Sequence, residues 1–337
     1  MPDTTNDPTC LLPWEEEQRE IIIKKKATSD PKFGCLPYKR SVDELIANGI
    51  VNINKPQGPS SHQVSAYIQT ILGISKAGHS GTLDPHVTGC LPIALENSTR
   101  ITQALLTSGK EYICLMHLHQ THTKDVISKT IEDFRGTIHQ LPPVRSAVKR
   151  AWRERLVYYF NILEINNRDV LFVIGCQAGT YIRKLVHDIG QQLGSGAHMQ
   201  QLIRTKAGPF NYKTMWTLQD VRDAYWYAKH GNEHFIRQVI LPIESAITHL
   251  AHIWVLDSTV ESLCHGATLG IPGISMLQSG IETGDTICIL TLKGELIGIG
   301  TAQLSSTEIS TKEKGLAACI NKVFMKPGTY PRIGGVK

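Results

Sequence analysis

The chain has 337 residues, 41 % of them apolar and 19 % charged, with a net charge of +5. This is globular composition with enough apolar side chains for two cores, which excludes a disordered or fibrous chain. No run of about 18 apolar residues is present to cross a membrane, and the acidic, polar first residues lack the apolar stretch of a signal peptide, so a soluble cytoplasmic protein is expected.

The eight cysteines stand at 10, 35, 90, 114, 176, 264, 288 and 319 without a C-x-x-C pair. That spacing argues for reduced, buried thiols and against a zinc site or a disulfide framework. Residues 251–337 hold seven basic and seven acidic side chains, which leaves 28 against 23 in residues 1–250. The basic excess therefore sits in the first part of the chain, most densely at Arg145, Lys149, Arg150, Arg153 and Arg155, faced only by Glu154. Such a run is either a solvated face or a set of phosphate contacts.

In chain order, residues 1–45 are irregular, acidic at 15–17, apolar at 21–23 and basic at 24–26, and are expected to form an arm without its own core. Ser41 and Glu44 have the spacing of a capping box for a short helix that Gly49 would stop. An apolar strand over 50–53 leads into NKPQGPSS, where Pro56, Gly58 and Pro59 force a loop. Ser60 or Ser61 then caps a helix with Val64, Tyr67, Ile68, Ile71 and Leu72 on its apolar stripe, ended by Gly73.

The next stretch, KAGHSGTLDPHVTGCL over 76–91, sets one carboxylate, Asp84, among Gly78, Gly81 and Gly89 with Pro85 directly after it. Glycines permit sharp turns and close approach of a large ligand, so the loop reads either as a rigid presentation of Asp84 or as an ordinary surface turn. Beyond it, 101–106 reads as a helix and 112–119 as a strand, with Tyr112, Cys114, Met116 and Leu118 on one face. Strands are expected over 158–165 and 170–176. A turn at Gly179 opens a helix whose stripe is Ile182, Leu185, Val186, Ile189 and Leu193, with Arg183 off the stripe. Helices over 217–229 and 243–250 precede short strands at 253–256, 286–291 and 295–302, the last two joined by a hairpin at Lys293 and Gly294.

Five blocks in order, NKPQGPSS, the Asp84 loop, KEY from Lys110, CQAGTYIRKLVHDIG from Cys176 and LIRTKAGPF from Leu202, resemble the motifs of the TruB-type pseudouridine synthases, in particular their dyskerin-type members from archaea. HGATLGIPGI, LKGELIGIG and KVFMKPGTYPR near the end are similar to the PUA domain that follows the catalytic domain in that family. The resemblance implies an α+β catalytic domain over 46–250 around a mixed, mostly antiparallel sheet. It also implies a small β-barrel-like PUA domain over 251–332, with the arm packed on the PUA side.

It further implies an isomerase that converts uridine to pseudouridine in rRNA or tRNA without a cofactor or a metal. The target uridine must leave its stack to be reached. By the resemblance, Asp84 is the nucleophile or base, Tyr112 stacks on the flipped base and assists proton movement, and Arg183 pairs with Asp84. Leu202 lines the pocket floor, Lys55 and Pro56 buttress the tyrosine, and His79 shapes the vacated space. Arg204 and Lys206 join the run 145–155 as RNA-backbone contacts.

The expected partners are a box H/ACA guide RNA and three small proteins of that particle, one of them a kink-turn binder, with no homo-oligomer. Two other readings stay open: a stand-alone synthase for the tRNA T-loop, and a guide-RNA scaffold without activity. His117, His119 and His122 lack an acidic or cysteine partner that would make a metal site, and a single His187-Asp188 pair is weak evidence for metal-dependent hydrolysis.

Overall fold

The computed structural model describes residues 10–142 and 150–332. The arm holds a helical turn α1 (Pro13–Glu16), a strand β1 (Ile21–Ile23) and a helix α2 (Val42–Ala47). A ten-stranded sheet follows: β2 (Gly49–Lys55), β3 (Ala77–His79), β4 (Thr88–Leu95), β5 (Lys110–Leu118), β6 (Gly136–Gln140), β7 (Arg153–Asn166), β8 (Asp169–Cys176), β9 (Ala197–Ala207), β10 (Phe210–Asn211) and β11 (Leu241–Pro242). Interleaved with it are α3 (Ser61–Leu72), α4 (Thr102–Thr107), α5 (Lys124–Glu132), α6 (Ile182–Gln192), α7 (Leu218–Lys229) and α8 (His234–Val239). The second sheet contains β12 (Ala251–Val255), β13 (Leu269–Gly270), β14 (Ile274–Gln278), β15 (Thr286–Thr291), β16 (Leu296–Ala302) and β17 (Leu316–Val323), with helices α9 (Asp257–Cys264) and α10 (Ser306–Thr311).

The first sheet runs β11-β2-β4-β9-β5-β8-β7-β6, and only β4 and β9 pair in parallel, so it is mixed and mostly antiparallel. Helices α3 and α6 lay their stripes on it. Val64, Ile68, Leu72, Leu185, Val186 and Ile189 are buried with Cys114, Met116 and Leu118 of β5 in one apolar cluster. Ser60 caps α3 by accepting from the Gln63 amide, and Gly73 ends it in the left-handed conformation at φ 65°. Among the described residues no helix is long and apolar enough to cross a membrane.

The second, curled sheet encloses its own cluster of residues such as Ile253, Val260, Leu277, Ile289 and Ile297. A third cluster joins the sheets, with Ile50, Cys90, Leu105 and Phe210 against Cys288, Leu290 and Ile299. The arm touches both parts. Its β1 adds to the edge of the second sheet by pairing with β14, while Cys10 and Leu12 are buried against Tyr159 and Val173 of the first.

Two local expectations differ from the structure. Helix α2 ends at Ala47 with Asn48 as its C-cap, and Gly49 begins β2 in an extended rather than a left-handed conformation. A side chain at Gly49 would lie 2.2 Å from the Leu45 carbonyl, so this glycine is required by close packing rather than by a helix stop. The helix expected over 243–250 is only a 3-10 turn, Ile243–Ala246, because Ile243, Ala246 and Ile247 all point into the junction between the sheets.

Candidate active site

The loop from Ser80 to Val87 joins β3 to β4 and presents Asp84. It is held from several sides by groups distant in sequence. Lys55, buried at the end of β2, donates through Nζ to the carbonyls of Pro56 at 2.8 Å, Pro85 at 3.2 Å and Val87 at 2.9 Å. Ser61 Oγ accepts from the Leu83 amide at 2.9 Å and donates to its carbonyl, and the Val87 amide closes a turn on the Asp84 carbonyl at 3.0 Å. Burial lowers the Lys55 ammonium from its usual range while the charge of Asp84 raises it. Lys55 therefore braces the loop that carries Asp84.

Of the three glycines in this stretch, Gly81 (φ 129°) and Gly89 (φ 104°) need to be glycine. At Gly89 a side chain would lie 2.2 Å from the Arg204 carbonyl.

Asp84 Oδ2 accepts from Arg183 Nη2 in an ion pair, with the side chains 46 % and 55 % exposed. The carboxylate is thus oriented by a guanidinium yet open to solvent, as a group meant to meet a ligand must be. Arg183 is the second residue of α6. Gln140, buried on β6, fixes the start of that helix by accepting from the Tyr181 amide at 3.0 Å and donating to its carbonyl at 3.2 Å.

Tyr112 is half-buried on β5, directly opposite Arg204 of β9 and Ile174 of β8. Burial raises its phenol, and the charge of the Arg204 guanidinium opposes that rise. Leu202, opposite Cys114, is buried in the same apolar cluster. His79 ends β3 with both ring nitrogens buried and without a partner, and its ring meets that of His62 edge-on at 4.7 Å. Burial lowers its basicity, and His62 and Arg204 lower it further. The sequence carries no sign of His62 or Gln140, and offers Ser61 only as a candidate helix cap.

Arg204 and Lys206 are buried inside the protein. Arg204 is 1 % exposed, with Nε on the Cys90 carbonyl at 2.7 Å and Nη2 on the Gly81 carbonyl at 3.3 Å. Lys206 is 4 % exposed and donates to Glu15 at 2.9 Å and to the Cys10 carbonyl, with Glu111 at 3.4 Å. Their backbones lie in the middle of the sheet and their partners come from elsewhere in the chain, which corrects the expectation that both are phosphate contacts. Of the basic run, Arg150 is exposed and Arg153 and Arg155 are half-buried at the start of β7, while Arg145 and Lys149 lie outside the described residues.

Among the described residues no three His, Cys, Asp or Glu side chains are grouped to hold a metal ion. His117 bonds Asp169 at 2.6 Å, and His119 bonds His198 at 3.0 Å.

Four family models match the chain: the DKCLD (NUC011) domain over 9–65, the N-terminal domain of TruB family pseudouridylate synthase over 69–182, the C-terminal domain of tRNA pseudouridylate synthase B over 183–248, and the PUA domain over 251–324. The chain is 48 % identical over 334 residues to the probable tRNA pseudouridine synthase B of Methanopyrus kandleri, covering 99 % of this chain and 98 % of that one. It is 50 % identical over 325 residues to the protein of the same description in Nanoarchaeum equitans, covering 96 % and 93 %. Among solved structures it superposes on a chain of a Cbf5-Nop10-Gar1 complex with a TM-score of 0.91 at 49 % identity, covering 96 % and 99 %. A chain of an H/ACA RNP bound to a substrate RNA containing 2'-deoxyuridine gives 0.90 at 46 % identity, also covering 96 % and 99 %.

An open, guanidinium-paired aspartate in a braced loop on a mixed sheet, followed by a PUA domain, defines the class, an RNA pseudouridine synthase. The chain belongs to the TruB family, in its dyskerin type with DKCLD and PUA domains.

Proposed function

We propose that this enzyme isomerises uridines in rRNA at positions chosen by a box H/ACA guide RNA, with Asp84 as the group that attacks the flipped nucleotide. The observation that carries the reading is the Asp84–Arg183 pair: an oriented carboxylate, half open to solvent, in a loop that buried Lys55 and Ser61 hold rigid. The isomerisation breaks the bond from the ribose C1′ to N1 of the uracil and forms one from C1′ to C5. N1 gains a proton and C5 loses one, with no net redox change. A carboxylate can serve as nucleophile or base at the ribose. Tyr112, half-buried opposite Arg204, stacks on the extruded base and takes part in the late proton loss from C5. Arg150, Arg153 and Arg155 contact the RNA backbone, as do Arg145 and Lys149. Pairing between guide and substrate supplies sequence choice, so the protein reads backbone and shape.

Likeness along nearly the whole chain to subunits of Cbf5-Nop10-Gar1 and H/ACA RNP complexes supports assembly with a guide RNA and small proteins of that kind. A second reading, guide-independent action on tRNA, is favoured by the description of the curated relatives as tRNA pseudouridine synthase B. Tritium release from RNA labelled at C5 of uridine tests both. Release that needs guide RNA and is lost in Asp84→Asn is expected. Release from tRNA without guide moves the assignment to the second reading, and release unchanged in Asp84→Asn removes Asp84 from catalysis.

A further inference from the structure

Lys206 is buried among two carboxylates, but its neighbour Arg204 is not. The described hydrogen bonds of this buried guanidinium go to the carbonyls of Cys90 and Gly81, none to a carboxylate, and Tyr112 stands directly opposite Arg204 across the β5/β9 pair. A buried charge without a counter-charge is expensive to keep, and an apolar side chain would fill the same space at less cost. What distinguishes the arginine is its reach. Nη2 holds Gly81 at the start of the Asp84 loop, Nε holds Cys90 just past its end, and the Arg204 backbone is the surface against which Gly89 must be glycine. A guanidinium is planar, so fixing two of its edges fixes the third. Tyr112 lies directly across the β5/β9 pair, and the register of that pair shifts between Glu111 and Tyr112, the kind of bulge that re-aims a side chain.

We propose that Arg204 is a positioning residue for the isomerisation that acts through Tyr112, setting the tyrosine hydroxyl relative to the loop that carries Asp84. The inference rests on the proposed role of Tyr112. Once C1′ is bonded to C5, that carbon still carries its hydrogen. The ring recovers its double bond when the proton leaves to a base and the C–H electron pair stays in the ring. Because burial raises the Tyr112 phenol, the reactive form is its minor ionised fraction; that phenolate accepts the proton and becomes the phenol, while N1 takes a proton from solvent. The guanidinium opposite the tyrosine favours the phenolate by its positive charge.

The test is a double-mutant cycle in single-turnover tritium release, with guide and substrate RNA saturating, over a pH series. Arg204→Met is expected to slow release at least about tenfold with RNA affinity unchanged. It should move the limb of the profile that rises with pH upward by about one unit. Arg204→Lys, which keeps a charge, should recover part of both effects and carries the cycle if the methionine variant fails to fold. In a Tyr112→Phe background either Arg204 substitution should cost clearly less than it does beside the native tyrosine, what remains being its hold on Gly81 and Cys90. An equal loss in that background, or an unmoved pH limb, overturns the proposal and leaves Arg204 a packing residue. Full activity of Tyr112→Phe overturns it too, by removing Tyr112 from the chemistry, and is told apart from the first failure because the Arg204 substitutions need not be made to see it.

Discussion

Two polar networks grow from the same strand pair, β5 and β9, and they handle charge differently. In one, Glu111 accepts from Tyr159 Oη at 2.5 Å and Thr205 Oγ1 at 2.6 Å beside Lys206, and all four residues are shut away from water. In the other, beyond Tyr112 and Arg204, the Asp84–Arg183 pair leaves about half of each side chain in solvent. A sealed network is costly to break because each lost partner leaves an unpaired charge behind, whereas an exposed pair contributes little to folding. Stability and catalysis should therefore separate between neighbouring residues of one strand pair.

The largest effect should come at the open pair. Asp84→Asn is expected to cut the single-turnover rate by at least about 10³-fold while thermal unfolding changes by no more than about 1 kcal/mol. A variant that melts far lower would show that the pair is structural and erase the contrast. The sealed network predicts the reverse. Glu111→Gln places an amide donor among the Tyr159, Thr205 and Lys206 donors, and urea unfolding should register a loss on the order of 3 kcal/mol. The rate per folded molecule should stay as it was, and a rate loss larger than the folded fraction explains would extend the chemistry to the sealed side.

That separation could not be read from the sequence. Helices α3 and α6 were legible, since they carry apolar stripes at helical spacing and α3 is bracketed by Ser60 and Gly73, whereas the short α5, α8, α9 and α10 were not. Strands β5, β7 and β8 were legible too, as was the Asp84 loop, through Gly81, Gly89 and Pro85. Strand β4 was not, because Pro92 interrupts its apolar run. The proline is tolerated because Asn52, its partner on β2, turns its carbonyl away to Trp216. The Pro92 nitrogen thus faces the gap between the residues that pair with β9 and those that pair with β3. Strand β9 was hidden by its polar letters. Arg204, Thr205 and Lys206 look like a solvated basic stretch until Gly81, Cys90, Glu111 and Glu15 arrive from four other segments to meet them. Gln140 gave no signal either, as nothing local marks a glutamine whose amide will clasp the start of a helix 41 residues on.

Within the open network the next largest effect belongs to Arg183. Arg183→Gln keeps a donor near Asp84 but removes the charge, and a rate loss of about 10²-fold with unfolding unchanged is expected from single-turnover and melting measurements together. A loss as deep as that of Asp84→Asn would mean that the guanidinium touches the reacting atoms itself.

The finest comparison sets two buried lysines side by side, each with its ammonium on three carbonyls. Lys55 holds the Asp84 loop, and Lys110 caps the end of α4 through Leu105 at 3.0 Å, Leu106 at 2.9 Å and Ser108 at 2.6 Å. Burial lowers both. The Arg204 guanidinium adds to the fall at both, but at Lys55 the charge of Asp84 opposes it more strongly, whereas at Lys110 no carboxylate does and the value falls to about 7 from the ordinary 10.5. The unfolded chain therefore binds the extra proton between those two values, so the stability contributed by Lys110 is flat below about pH 7 and rises with pH up to 10.5. Measured as the difference from Lys110→Met in urea unfolding, the protein should gain stability across that window, and the same difference taken from Lys55→Met should gain less. A level difference at Lys110 would show that its three carbonyls keep the proton in place against burial and Arg204 together.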